Sequence, residues 1–177
     1  MSRKGMNRRQ FLQTSGVAVA GTAAAVGTGT MLVDPKGAWA MSLQALDEHT
    51  ATTLVVVCRQ IYPHDRLGDV YYAKVVEGLD GKAAKDKDVG KLLADGVASL
   101  DKSVGDVKWM DLSDGYQLDA LKQVESTKFF QTVRGELITG LYNNPDVWRH
   151  FGYEGASAEF GGYINRGFND IGWLKDT

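Results

Sequence analysis

The segment Tyr62-Pro63-His64-Asp65 places a histidine next to a carboxylate. Such a pair works as a general base when it faces a substrate with a nucleophile or a metal ion nearby. Residues that are adjacent in sequence seldom converge on one point, and no serine or cysteine nucleophile motif accompanies this pair. We therefore expect a capped turn at a helix end and assign no catalytic residue.

The single cysteine, Cys58, is the other side chain with reactive chemistry. It lies on the apolar stripe of a predicted helix, where a free cysteine behaves as a small hydrophobic residue. In an exported protein an unpaired thiol also suits a disulfide to another subunit. A buried inert thiol and an intersubunit bridge both stay open on the sequence alone.

Cofactor and metal motifs are scarce in this chain. One cysteine excludes an internal disulfide framework, a CxxC redox pair, a four-thiolate iron–sulfur cluster and CxxCH haem attachment. Three scattered histidines do not indicate a metal site. The glycine pairs near residues 152–162 follow no predicted strand, so they are weak candidates for a phosphate or dinucleotide cradle. We expect no cofactor and no metal ion in this chain.

The apolar spacing after residue 41 is helical and predicts an all-α domain of about five helices in a compact orthogonal bundle. The clearest stripe runs through Val89, Leu93, Val97 and Leu100, and Gly105 supplies a stop. Pro63 ends the first helix because proline disfavours helical geometry in the residue before it. The predicted helices span 50–62, 69–79, 88–104, 113–124 and 127–142, and the second of them ends near Gly81. Ser113 and Thr127 are the predicted N-caps of the last two helices. Val70 and Leu118 are predicted to lie on the apolar stripes of the second and fourth helices.

The segment 142–174 differs from the helical part because it combines aromatic rings with six glycines. Glycine at that density disfavours both helix and strand, whereas aromatic residues often anchor interfaces. We predict an irregular tail that either wraps its own core or packs partly on another protein. The proposed interface residues are Tyr142, Trp148, Phe151, Tyr153, Tyr163, Phe168 and Trp173.

Residues 1–40 are predicted to be an export signal. Arg8 and Arg9, followed by Phe11 and Leu12, precede a long but weakly apolar run, a pattern that resembles a twin-arginine translocation (Tat) signal. An ordinary Sec signal is the alternative. The sequence Ala38-Trp39-Ala40 resembles a small-x-small cleavage site, which predicts a mature start at Met41 and a periplasmic protein.

The mature part is predicted to be one acidic domain, residues 41–177. Five of the 20 basic residues and one of the 22 acidic residues lie in the leader, which leaves a net charge of −6. Such a surface has no electrostatic attraction for nucleic acid, and we exclude that class of partner.

The Tat route carries folded proteins, commonly because a redox cofactor must be inserted in the cytoplasm. This chain shows no flavin, nicotinamide, haem, molybdenum or cluster motif of its own. We therefore expect it to lend its signal to a partner that carries the cofactor. An independent periplasmic ligand-binding or redox protein is the alternative.

Three blocks of the sequence resemble the gluconate 2-dehydrogenase subunit 3 family, the small (gamma) subunits of bacterial FAD-dependent sugar dehydrogenases, glucose dehydrogenase in particular. Together with the leader they make the resemblance span nearly the whole chain. The blocks are Gln60-Ile61-Tyr62-Pro63-His64-Asp65, the segment 141–155 that begins Leu141-Tyr142-Asn143-Asn144-Pro145, and the ending that begins Gly161-Gly162-Tyr163-Ile164-Asn165-Arg166-Gly167-Phe168.

This resemblance implies a non-catalytic subunit of a membrane-associated complex. The catalytic subunit of such a complex holds FAD and an iron–sulfur cluster, and a multihaem cytochrome c subunit takes the electrons onward. The small subunit would support maturation of the flavoprotein and escort it through the Tat translocase as a hitchhiker. The family has no established catalytic residues in this subunit, so the resemblance assigns none here.

Overall fold

The computed structural model describes residues 30–33 and 40–164. In these residues two short strands, β1 (Thr30–Val33) and β2 (Ala40–Leu43), pair antiparallel. The α-helices are α1 (Glu48–Ile61), α2 (Asp69–Lys85), α3 (Lys87–Ser103), α4 (Asp114–Gln123), α5 (Lys128–Tyr142) and α6 (Pro145–Phe151). Short 3-10 helices occur at Trp109–Asp111 and Ser157–Phe160. The all-α prediction is confirmed, with six helices in the described residues instead of about five.

Side-chain caps set the starts of several helices. The Asp47 carboxylate accepts a hydrogen bond from the Thr50 N–H (2.9 Å) and begins α1. The Asp86 carboxylate does the same for α3 through the Asp88 N–H (2.9 Å). The Thr127 hydroxyl accepts from the Phe130 N–H (3.3 Å), which confirms the predicted cap of α5. Ser113 precedes α4 as predicted, but its side chain makes no capping bond.

Helix α2 is the centre of the core and contacts α1, α3, α5 and β2. Its Tyr72, Val76 and Leu79 side chains are fully buried. The helix runs to Lys85, six residues past its predicted end. Gly81 was expected to stop it, but a glycine inside a helix costs only about 1 kcal/mol relative to alanine, and burial of Ala83 in the next turn offsets that cost.

Two side chains expected on buried stripes are exposed, Val70 in α2 and Leu118 in α4. In α4 the buried position is Gln117 instead, because its amide donates to the Met110 carbonyl (2.9 Å) and accepts from Gln60 (2.8 Å). The apolar spacing alone could not predict a buried glutamine, since its burial depends on partners from other elements.

Helix α6 lies inside the segment predicted to be irregular. Its start is encoded locally, because the Asn144 side chain accepts from the Asp146 N–H (3.0 Å) and Pro145 occupies the first turn. Gly152, with φ +72°, ends it in the left-handed conformation. No helix in the described part of the chain is both long enough and apolar enough to cross a membrane.

Candidate functional site

A cleft of about 470 Å³ opens between the C-terminal half of α1, the start of α4 and the turn that joins α1 to α2. Its apolar wall is formed by Val55, Val56, Met110 and Leu112. Its polar rim includes Arg59, Gln60, His64, Asp65, Asp69 and Asp114. The rim carries three carboxylates and one guanidinium, so it is acidic.

The polar groups of the cleft hold one another in place. The Arg59 guanidinium donates to the Asp69 carboxylate (2.8 Å) and to the Leu67 carbonyl (3.0 Å). The Gln60 amide donates to the Asp114 carboxylate (3.1 Å). These bonds fix the direction of both long side chains, so the shape of the cleft is set before any ligand arrives.

His64 joins the cleft to the aromatic segment, residues 142–164. Its Nε2 atom is 2.8 Å from the Tyr142 hydroxyl, and its ring packs edge-on against Tyr142 and against Phe151 (centroids 5.0 Å apart). The imidazole is therefore engaged with Tyr142, a residue 78 positions away. The local sequence brings only Asp65 beside His64, so it could not predict the contact with Tyr142.

The turn that carries His64 is held by Tyr72 of α2. The Tyr72 hydroxyl donates to the Tyr62 carbonyl (2.7 Å) and accepts from the His64 N–H (3.2 Å). Burial raises the pKa of Tyr72. Burial, with the neighbouring Tyr62 and Tyr72, also raises the pKa of Tyr142. Both phenols are therefore neutral hydrogen-bonding groups at physiological pH.

The aromatic segment is divided between its own fold and the surface. Tyr142 and Trp148 are half-buried. Phe151, Tyr153 and Tyr163 are 45%, 48% and 56% exposed. Phe168 and Trp173 of the proposed interface lie outside the described residues. Within the described residues some rings pack on the domain and others face outward, and the partner-binding role of this segment stays a prediction.

Trp148 anchors Tyr153, one of the outward-facing rings. Its indole N–H donates to the Tyr142 carbonyl (2.5 Å), and its ring packs edge-on against Tyr153 (5.2 Å). Gly155, with φ +105°, passes directly over the indole, and a Cβ there would lie 3.4 Å from it. Glycine at position 155 thus lets the backbone lie close to the Trp148 indole, and it adopts a backbone conformation that other residues rarely adopt.

Cys58 is fully buried in α1. Burial, and secondarily the Glu136 carboxylate, raise the pKa of its thiol far above the ordinary value. A disulfide to another subunit would require α1 to leave the core. The structure therefore favours the inert thiol over the bridge.

Other chemistry-bearing groups were not found by sequence reasoning. His49 Nε2 lies 2.6 Å from the Asp101 carboxylate, which also accepts from the Trp109 N–H (2.8 Å). Such a pair joins α1 to α3 across 52 positions, so no local pattern reveals it. No group of three or more metal-ligating side chains is assembled among residues 30–33 and 40–164.

The family of TAT (twin-arginine translocation) pathway signal sequences matches residues 5–32. No curated protein and no solved structure shows significant similarity to the chain. The match confirms the predicted Tat signal and contains Arg8, Arg9, Phe11 and Leu12, which lie outside the described residues, as does Ala38.

The Tat signal defines the class of this protein: it is a substrate of the Tat translocase and is exported to the periplasm or beyond. The match ends before the helical domain begins. The resemblance of that domain to the gluconate 2-dehydrogenase subunit 3 family therefore stays a prediction.

Proposed function

We propose that this chain is the non-catalytic small subunit of a periplasmic flavin-dependent sugar dehydrogenase, and that it supplies the export signal for the catalytic FAD subunit. The chain binds the flavoprotein in the cytoplasm, assists its maturation and carries it through the Tat translocase. FAD and an iron–sulfur cluster belong to that partner, and haem c belongs to a cytochrome subunit through which the complex associates with the membrane.

The observation that carries this proposal is the meeting of two sequence blocks that support the family resemblance. The turn at residues 62–65 and the block at 141–155 are far apart in sequence. In the fold His64 contacts both Tyr142 and Phe151, and the Tyr62 and Tyr142 rings pack edge-on with centroids 5.6 Å apart. If the two blocks bind the same partner, they must lie next to each other in the fold, and these contacts bring them together.

Exposed rings support a partner-binding role for this surface. Large apolar groups that stay half-exposed and adjacent are typical of protein–protein interfaces. Phe151 packs against the half-buried His64 and Tyr153 packs against the half-buried Trp148, so both rings lose less side-chain freedom on binding than free side chains would. The acidic net charge of the mature chain gives no support to nucleic acid as the partner.

The cleft favours one alternative, an independent periplasmic ligand-binding or redox protein. Its volume of about 470 Å³ is in the range of small-molecule sites. The two functions differ in what the isolated full chain contains and needs. Visible absorption from a bound chromophore, or turnover by the chain alone, would establish the alternative, whereas the proposal expects neither.

Alanine substitution of the exposed rings tests the interface. We expect Phe151→Ala, Tyr153→Ala and Tyr163→Ala each to weaken binding of the flavoprotein subunit by about tenfold, since truncated anchors at an interface cost about 1–2 kcal/mol. The measurement is titration of the full-length chain with the flavoprotein, followed by co-elution of flavin absorbance.

Tyr116→Ala is the matched control, because Tyr116 is 71% exposed on α4 and lies outside the aromatic segment. It should leave the affinity unchanged. Equal affinities for the control and all three segment variants would remove the aromatic segment from the interface.

A further inference from the structure

The bond that is predicted to be cleaved lies at the start of a strand of the folded protein. The bond between Ala40 and Met41 belongs to β2, where Ala40 pairs with Val33 and Met41 pairs with Leu32 of β1. Strand β1 belongs to the predicted leader, so residues 30–33 of the leader pair with the first residues of the mature part. A Tat substrate reaches the processing protease already folded, which makes this placement relevant to cleavage.

Two carboxylates of α2 hold the segment that follows the bond, residues 41–46. Asp80 accepts hydrogen bonds from the backbone N–H groups of Gln44 (2.7 Å), Ala45 (3.0 Å) and Leu46 (2.8 Å). Glu77 accepts from the Ser42 N–H (3.2 Å). Charge-assisted bonds of this kind are stronger than neutral ones, so these two side chains form a clamp on the segment.

The clamped segment is also part of the core. The side chains of Met41, Leu43 and Leu46 are 2%, 1% and 7% exposed, and Asp80 itself is 1% exposed. A protease needs several residues on each side of the scissile bond in an extended and unpaired form. Here Met41, Leu43 and Leu46 after the bond are buried, and the two residues that form the bond, Ala40 and Met41, are paired with β1.

We propose that removal of the leader after Ala40 is gated by the fold. The protease acts only on molecules in which β1 has separated from β2 and residues 41–46 have left the Glu77–Asp80 clamp. When such opening is fast relative to cleavage, the rate of proteolysis follows the population of the open form. The clamp therefore sets how fast the precursor matures. This inference does not depend on the identity of any partner.

The test is cleavage of the purified full-length precursor by signal peptidase in detergent, with the new N-terminus determined by mass spectrometry. A synthetic peptide of residues 30–50, which lacks the clamp, gives the ungated rate. We expect cleavage after Ala40 in both, at least about tenfold slower in the folded precursor. Asp80→Asn removes one charge-assisted acceptor and should speed cleavage of the precursor by about tenfold.

Two further variants keep the test interpretable. Glu77→Gln weakens the clamp at the surface and leaves the buried Asp80 intact, so it should speed cleavage by about threefold even if Asp80→Asn does not fold. Glu125→Gln changes an exposed carboxylate far along the chain and should have no effect. Equal rates for the precursor and the peptide, no acceleration in either clamp variant, or a peptide that is not cut after Ala40 would each overturn the proposal.

Discussion

Cys58 shows how burial decides the chemistry of a residue. The thiolate is the reactive form of cysteine, and burial in α1 disfavours that form. We expect alkylation of the folded full-length chain at pH 8 to be slower than that of the chain in denaturant, by on the order of 100-fold. Mass spectrometry of the maleimide adduct measures both rates. Equal rates in the two states would show that the thiol is accessible.

The same shift has a consequence for stability at alkaline pH. The pKa of the thiol is raised in the folded state above its ordinary value of 9.0. Above that value the thiol of the unfolded chain loses its proton while the buried thiol of the folded chain keeps it. The contribution of Cys58 to the free energy of unfolding is therefore fully present below pH 9 and is lost as the pH rises. The free energy of unfolding should therefore fall more steeply between pH 9 and 10 for the native chain than for Cys58→Ala.

At the scale of the elements, the packing of α3 against α5 depends on the absence of a side chain at Gly96. A Cβ at this position would lie 2.1 Å from the Phe129 ring, which is itself buried. We expect Gly96→Ala to lower the free energy of unfolding by about 1–3 kcal/mol, because overpacking outweighs the gain in helix propensity. Urea unfolding followed by circular dichroism measures this change.

Gly135→Ala is the matched control for that substitution. Gly135 also lies inside a helix, but a Cβ there would meet nothing within 4 Å. It should raise the free energy of unfolding by up to about 1 kcal/mol. A stabilising Gly96→Ala would mean that Phe129 moves freely and that the α3–α5 contact is not tightly packed.

The helices were largely predictable because their information is local. Apolar spacing located α1, α3 and α5, and Thr127 marked the start of the last of these. The prediction failed where the decisive contact comes from another element. Gln117 is buried because of the Met110 carbonyl and Gln60, and α2 continues past Gly81 because its next turn enters the core.

At the scale of the whole molecule, the candidate site is assembled from parts that local patterns cannot bring together. His64 meets Tyr142 across 78 positions, and Asp80 holds backbone groups 34 to 36 positions before it. The sequence did supply the chemical types, an aromatic segment and a His-containing turn. The fold brings the His64 turn into contact with the aromatic segment, and several rings of that segment stay half-exposed on an exported chain.

The central claim is that this chain carries the export signal for a second protein. The direct measurement is the location of the flavoprotein subunit when it is co-expressed with the full-length chain, by fractionation and flavin-linked activity. The double substitution Arg8→Lys/Arg9→Lys should leave the flavoprotein in the cytoplasm. The control substitution Arg3→Lys should leave export of the flavoprotein unchanged, because Arg3 lies before the matched signal residues 5–32. Normal export of the flavoprotein with the Arg8→Lys/Arg9→Lys chain would contradict the account.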